Sequence, residues 1–384
     1  MKIAKSQFFN VFRRTALVLA LLAGAGRLFA GEIHEAALAG DMVKVVELVR
    51  ADPKLVFTNG QTEWSKKLLG KRWDNATAKQ RKQIKVDSSP LFFAVVGGHK
   101  EVAEYLLANR ADVNSKGVFG ITPLIMAIYS TNLDMAKLLI AHQADVNASD
   151  DIGRTPLRFA VLRSSENLVA LLLTNKAKIS KADHMAGIDN PMGDGYVGTL
   201  TFNPGIPQRL YMQEPVRTFE TAPIWSTPLL MIATGSGDMP VAKLLVAAHA
   251  NIDARDGVGW TALHQSALYN QLKMATFLLE HQADVNAKAD SGVTPLLIAA
   301  NYGNVAVLKL LIDHKAKPNI KAANGATALH YAVANGYKEV VELLVAAHAD
   351  VNLKDDRGYR PLLAARANGY KEIADFLQQH GAHE

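Results

Sequence analysis

At 384 residues the chain is long enough for two or three ordinary globular domains unless one architecture repeats, and its 49% apolar and 20% charged residues mark a folding chain, not a disordered one. It has no cysteine, which excludes disulfides, thiolate metal sites and cysteine nucleophiles. A formal net charge of +6 suggests a nucleic-acid binder only until one asks where the charge sits.

Much of it sits at the N-terminus. Lys2, Lys5, Arg13 and Arg14 form a basic start, followed from Ala16 to Ala25 by an uncharged apolar run of about ten residues. That run is too short to cross a bilayer as a stable helix. Small residues come next, and a cut after Ala30 is expected, although Leu28 is bulky for its place. Residues 1–30 therefore read as a secretory signal peptide, with a retained anchor as the alternative. The mature chain is expected to be periplasmic or secreted, without stable membrane insertion. Cleavage removes five basic residues (Lys2, Lys5, Arg13, Arg14, Arg27) and no acidic ones from 42 against 36, leaving +1. The overall charge argument for a nucleic-acid partner then disappears.

The stretch "EIHEAALAGDMVKVVELV" from Glu32 opens a pattern that recurs. Ser89, Thr122 and Thr155 stand 33 apart, Thr227 and Thr261 34 apart, and Thr261, Thr294, Thr327 and Arg360 again 33 apart. Thr-Pro at 122–123, 155–156, 227–228 and 294–295 predicts a helix start, the hydroxyl capping free N–H groups and proline standing where no N–H is needed. Leu and Ala follow at helical spacing over about two turns. Gly303 and Gly336 stop that helix, and a second helix follows with one apolar face, as in Val340, Val341, Leu343 and Leu344. "ADVN" at 111–114, 144–147, 283–286 and 349–352 is a turn into the next unit.

These residues resemble the ankyrin repeat: Gly-x-Thr-Pro-Leu-x-x-Ala, then Gly, then Leu-Leu, then Ala-Asp-Val-Asn, at a period of 33 over most of residues 32–382. The resemblance implies an all-α repeat solenoid of about nine stacked helix-turn-helix units with projecting β-turns. Its domains are residues 31–179, an insert at 180–225, and residues 226–384. The chain departs from the family at two places. The histidine after Thr-Pro-Leu survives only at His264 and His330, with His34 as its counterpart in the first unit, which lacks the opening turn. The glycine ending the second helix is replaced by Arg110, Gln143, Lys176, His249, Gln282, Lys315 and His348, leaving only Gly381. Left-handed non-glycine residues cost about 1 kcal/mol each, so a stack less stable than an idealised one is expected.

Two inserts interrupt the period. Residues 53–88 are basic, with nine Lys/Arg and three Asp/Glu from Lys54 to Ser88, and carry Trp64 and Trp73. They read as a solvated helical excursion or as an arm for an acidic surface. Residues 180–225 are rich in Gly and Pro. Gly193, Gly195 and Gly198 there match a dinucleotide fingerprint as a string but lack the strand and helix it needs. Asp189, Asn190 and Asp194 lack EF-hand spacing and read as a turn.

No His-Glu-x-x-His, Gly-x-Ser-x-Gly or Walker loop occurs. His142, His281, His314 and His380 share one repeat position, about 10 Å apart and too far for a common metal, and are expected to meet carbonyls at helix ends. No catalytic residue, cofactor or metal is therefore expected. In the resembled family, partners meet the turn tips and inner helices. Carried over by repeat position, Phe119, Arg154, Trp260 and Tyr359 fall on tips, and Tyr129, Arg163, Tyr269 and Tyr302 on inner helices. With the N-terminal signal, the resemblance implies an exported, non-enzymatic scaffold for a partner protein, expected to be a monomer. The alternatives are a small-ligand receptor or enzyme with its site at the 180–225 insert, and an envelope-associated protein using the basic 53–88 insert.

Overall fold

The computed structural model describes residues 31–58, 88–117, 120–179 and 227–383. The chain divides into two compact units, Met1–Gly198 and Thr199–Glu384. In the first, the described helices are α1 (Glu32–Ala39), α2 (Met42–Ala51), α3 (Pro90–Gly97), α4 (Lys100–Ala108), α5 (Pro123–Tyr129), α6 (Leu133–Ala141), α7 (Pro156–Leu162) and α8 (Glu166–Thr174), with a short 3-10 helix at Pro53–Phe57. In the second they are α9 (Leu229–Ser236), α10 (Met239–Ala247), α11 (Ala262–Leu268), α12 (Leu272–Glu280), α13 (Pro295–Tyr302), α14 (Val305–Asp313), α15 (Ala328–Ala334), α16 (Lys338–Ala346), α17 (Pro361–Ala367) and α18 (Lys371–Gln379). Each odd-numbered helix pairs with the next, giving nine hairpins among the described residues.

The helices start as their sequence dictates. The hydroxyls of Ser89, Thr122, Thr155 and Thr294 accept from the backbone N–H of Phe92, Ile125, Arg158 and Leu297, each at 3.3 Å. Proline occupies the first turn in all four. Short helices of this kind are marginal alone, so packing holds them. The first helix of each hairpin is the more deeply buried: every residue of α5 is buried. Ala94, Ala127, Ala160, Ala299, Ala332 and Ala365 share one repeat position and are fully buried. Their small side chains let successive first helices approach closely, and these helices form the tighter layer of each unit. The second helices bury one face only, as Val340, Val341 and Leu344 do in α16.

Between hairpins, a side-chain ladder joins one repeat to the next. Asn114 and Asn147 each accept at Oδ1 from the backbone N–H of Asp145 and Lys178, at 2.8 Å. In the second unit Asp253, Asn286, Asn319 and Asn352 accept in the same way from Asp284, Lys317, Asp350 and His383, at 2.8–3.1 Å. The turn residues read from "ADVN" are therefore also inter-repeat staples. The tips pair as well: Asp290, Ala323 and Asp356 donate their N–H to the carbonyls of Val258, Ser291 and Asn324.

The seven residues that replace the second-helix glycine all adopt the left-handed conformation, with φ between 63 and 68°. Thr131, Ser164 and Asn270 do the same at the end of first helices, at φ 51–55°. Gly303 and Gly336 keep glycine there, and the reason lies in the next repeat. A Cβ would sit 3.2 Å from the Tyr337 ring at Gly303 and 2.9 Å from the Tyr370 ring at Gly336.

Two stability changes follow. Lys315→Gly removes a left-handed side chain at an exposed position and should stabilise by about 0.5–1 kcal/mol, raising the urea midpoint at unchanged m. Asn286→Ala should lower that midpoint by the equivalent of about 1 kcal/mol, because the Lys317 N–H loses its acceptor. An unchanged midpoint would show that the ladder contributes nothing at that step.

Candidate partner-binding face

The turn tips are shaped from within by aspartates. Asp150, Asp256 and Asp355 each accept at Oδ1 from two backbone N–H groups of their own tip: Ile152 and Arg154, Val258 and Trp260, Arg357 and Tyr359. Asp151, Asp290 and Arg357 project and are exposed. Trp260 does not. It is 2% exposed and lies stacked on His264, ring centroids 5.8 Å apart. Its place on a tip in the sequence becomes a place in the core.

Behind the tips, His264 and His330 complete capping boxes with Thr261 and Thr327. The Thr261 N–H donates to His264 Nδ1 at 3.1 Å, so Nε2 carries the proton and donates to the Val293 carbonyl of the next repeat at 3.1 Å. His330 repeats this with Thr327 and the Tyr359 carbonyl, both at 3.2 Å. Both rings must be neutral for this pattern. Burial is the main cause that lowers both, His264 to about 4.

In the first unit, the predicted residues hold one another. Arg163 lies over the Tyr129 ring at 4.3 Å and donates through Nε and Nη2 to the Tyr129 carbonyl at 2.8 and 2.6 Å. Tyr129 is 8% exposed and meets Phe159 edge-on. Arg154 covers the other side of Phe159 at 4.8 Å and pairs with the buried Asp150 carboxylate at 2.6 Å. Tyr129, Arg154 and Arg163 thus join two repeats, and Tyr129 presents almost no side-chain surface. Phe119 lies outside the described residues.

In the second unit, Tyr269 and Tyr302 end α11 and α13 at equivalent positions and are partly exposed. Burial raises both phenols, and Tyr302 is raised further by Tyr269 and Tyr337. The row continues with Asn335, whose Nδ2 is held by the Asn301 carbonyl and side chain at 3.2 Å and by the Tyr331 carbonyl at 3.0 Å. Tyr331, which the sequence reading passed over, stands one turn nearer the tips and accepts from Asn324 Nδ2 at 3.0 Å. Its repeat position, shared with Gln265, is the signal that finds it. Tyr359 is 40% exposed on the last described tip.

The helix-end histidines behave as carbonyl caps: His281, His314 and His380 reach the carbonyls of Phe277, Leu310 and Phe376 through Nδ1 at 2.8–2.9 Å. Among the described residues no three His, Asp or Glu side chains are placed to hold a metal ion, and no helix is long and apolar enough to cross a membrane. Most of the basic 53–88 insert lies outside the described residues, as does the 180–225 insert with its glycine string and Asp189, Asn190 and Asp194.

These nine hairpins, with paired tips and closely packed first helices, define a helical repeat solenoid. The family model described as Ankyrin repeats (3 copies) matches residues 91–183, 210–289, 229–322 and 296–384, more than half the chain. The chain belongs to the ankyrin repeat family. Comparison with curated proteins gives no match. Ankyrin repeats generally mediate protein–protein interaction and are typically non-enzymatic, and no enzyme family is matched.

The buried histidines set an acid limit. With its pKa lowered from 6.5 to about 4, His264 binds fewer protons folded than unfolded between those values. Stability should be full above pH 6.5 and fall as pH drops toward 4, by up to about 1.4 kcal/mol per pH unit for each such histidine. His264→Leu, the residue already present at Leu297, should flatten that part of the urea-midpoint profile. A profile as steep as the parent's would remove His264 from the account.

Proposed function

We propose that this protein is exported and acts as a non-enzymatic scaffold, binding a partner protein through the inner-helix face and turn tips of its C-terminal repeats. The observation that carries this reading is the row of partly exposed Tyr269 and Tyr302, with Tyr331 one turn nearer the tips, on first helices whose caps and packing are fixed by neighbouring repeats. A face ordered before binding loses little conformational entropy when a partner arrives. Partly exposed tyrosines on such a face are the residue type that anchors interfaces. Export rests on the basic start and the apolar run of residues 1–30.

The test is an in-cell cross-linking pull-down of the chain expressed with its own N-terminal segment. The parent is compared with a triple variant, Tyr269→Ser, Tyr302→Ser and Tyr359→Ser, whose helicity is checked by circular dichroism. A small set of envelope proteins should be enriched by the parent and lost with the folded variant. Capture of the same proteins by the variant would rule out this face. Mass spectrometry of the captured chain should show Gly31 at its N-terminus, and an intact Met1 would refute cleavage.

A further inference from the structure

The first helices and second helices of the C-terminal unit differ in charge. Helices α11, α13 and α15 contain no Asp, Glu, Lys or Arg and the last first helix, α17, carries only the exposed Arg366, whereas α12 carries Lys273 and Glu280, α14 Lys309 and Asp313, and α16 Lys338, Glu339 and Glu342. Part of that outer charge is already matched across repeats, Lys309 with Glu339 at 3.0 Å and Lys338 with Glu372 at 2.7 Å. The inner face offers tyrosine rings and amides. A charged segment laid there would lose water and gain no counter-charge, which disfavours it. An uncharged one meets no such penalty.

The face also has a spacing. Tyr269, Tyr302 and Asn335 recur once per repeat, and closely packed neighbouring helices lie about 8–10 Å apart. A polyproline II segment returns to the same side every three residues, or about 9.3 Å, and leaves its backbone groups without internal hydrogen bonds. A β-strand returns every two residues, at about 6.7 Å, and falls out of step with the rings. An α-helix satisfies its own backbone and has no use for the amides on this face. Asn335 is pinned in advance by Asn301 and the Tyr331 carbonyl.

We infer that the inner face of the C-terminal unit takes an uncharged, proline-containing segment of the partner in the extended polyproline II form, its prolines spaced to meet successive tyrosines. This rests on the scaffold reading above and narrows it to one kind of ligand.

The full chain would be titrated, by fluorescence anisotropy, against a fluorescein-labelled peptide with proline at every third position and no charged residue. Parallel peptides carry glutamate or lysine at the intervening positions. The uncharged peptide should bind saturably, with an affinity changing less than about twofold between roughly 50 and 500 mM salt. The charged peptides should bind about tenfold more weakly or worse, and Tyr269→Ala with Tyr302→Ala should cost at least about tenfold at unchanged helicity. Tyr269→Phe with Tyr302→Phe keeps the rings and should retain most of the binding. Equal binding of the charged peptides, a steep salt dependence, no binding, or preference for a neutral chitin oligosaccharide would each overturn the inference. If the peptide fails while the pull-down partner is still lost with the tyrosine variant, only this inference falls. If the variant keeps the partner, the scaffold face falls with it.

Discussion

No hairpin in this chain can bury its own apolar surface, and every other feature depends on that. Two helices of seven to nine residues, such as α15 and α16, form a unit too small to hold its helices against solvent. The first helix compensates by being apolar nearly all round. It is covered by the first helices before and after it, and the buried alanines at one repeat position set how close they come. Stability is therefore a sum over neighbours.

The polar groups follow the same rule. Asn286 closes onto Lys317, Asn319 onto Asp350, and His264 and His330 onto the carbonyls of Val293 and Tyr359. Each bond leaves one repeat and ends on the next, so satisfying a donor and stacking a neighbour are one event. The same bonds require neutral histidine, which ties the stack to pH. The left-handed residues at φ 63–68° add local strain that the neighbour contacts must outweigh. In return, the helix ends that carry Tyr269, Tyr302 and Asn335 are fixed before any partner arrives. On the proposed reading, such a face is specific in shape without a closing lid or a reordering loop.

Much of this was legible in the sequence. The 33-residue register placed the helices, the serine and threonine caps, the replaced glycines and the carbonyl-capping histidines, because each is a local backbone requirement written into one repeat. Surface was harder to read. Trp260 and Tyr129 were expected at the surface and both are buried, Tyr129 beneath Phe159 and Arg163 of the next repeat. Arg154 and Arg163 were read as contacts for a partner, yet both are engaged within the first unit by Asp150, Phe159 and Tyr129. Tyr331 stands out only beside its register counterpart Gln265, because neither its flanking residues nor a repeat motif marks it.

By itself, the sequence determined the repeat unit, its period, its caps and the family to which the chain belongs. These are set by spacing along the chain, and spacing is fully present in the residue order. Only the tertiary structure decided which aromatic side chains remain at a surface. Exposure is a property of two adjacent repeats, not of one. Tyr129 and Tyr302 each end a first helix, but Phe159 and Arg163 of the next repeat cover the first while the second stays partly exposed.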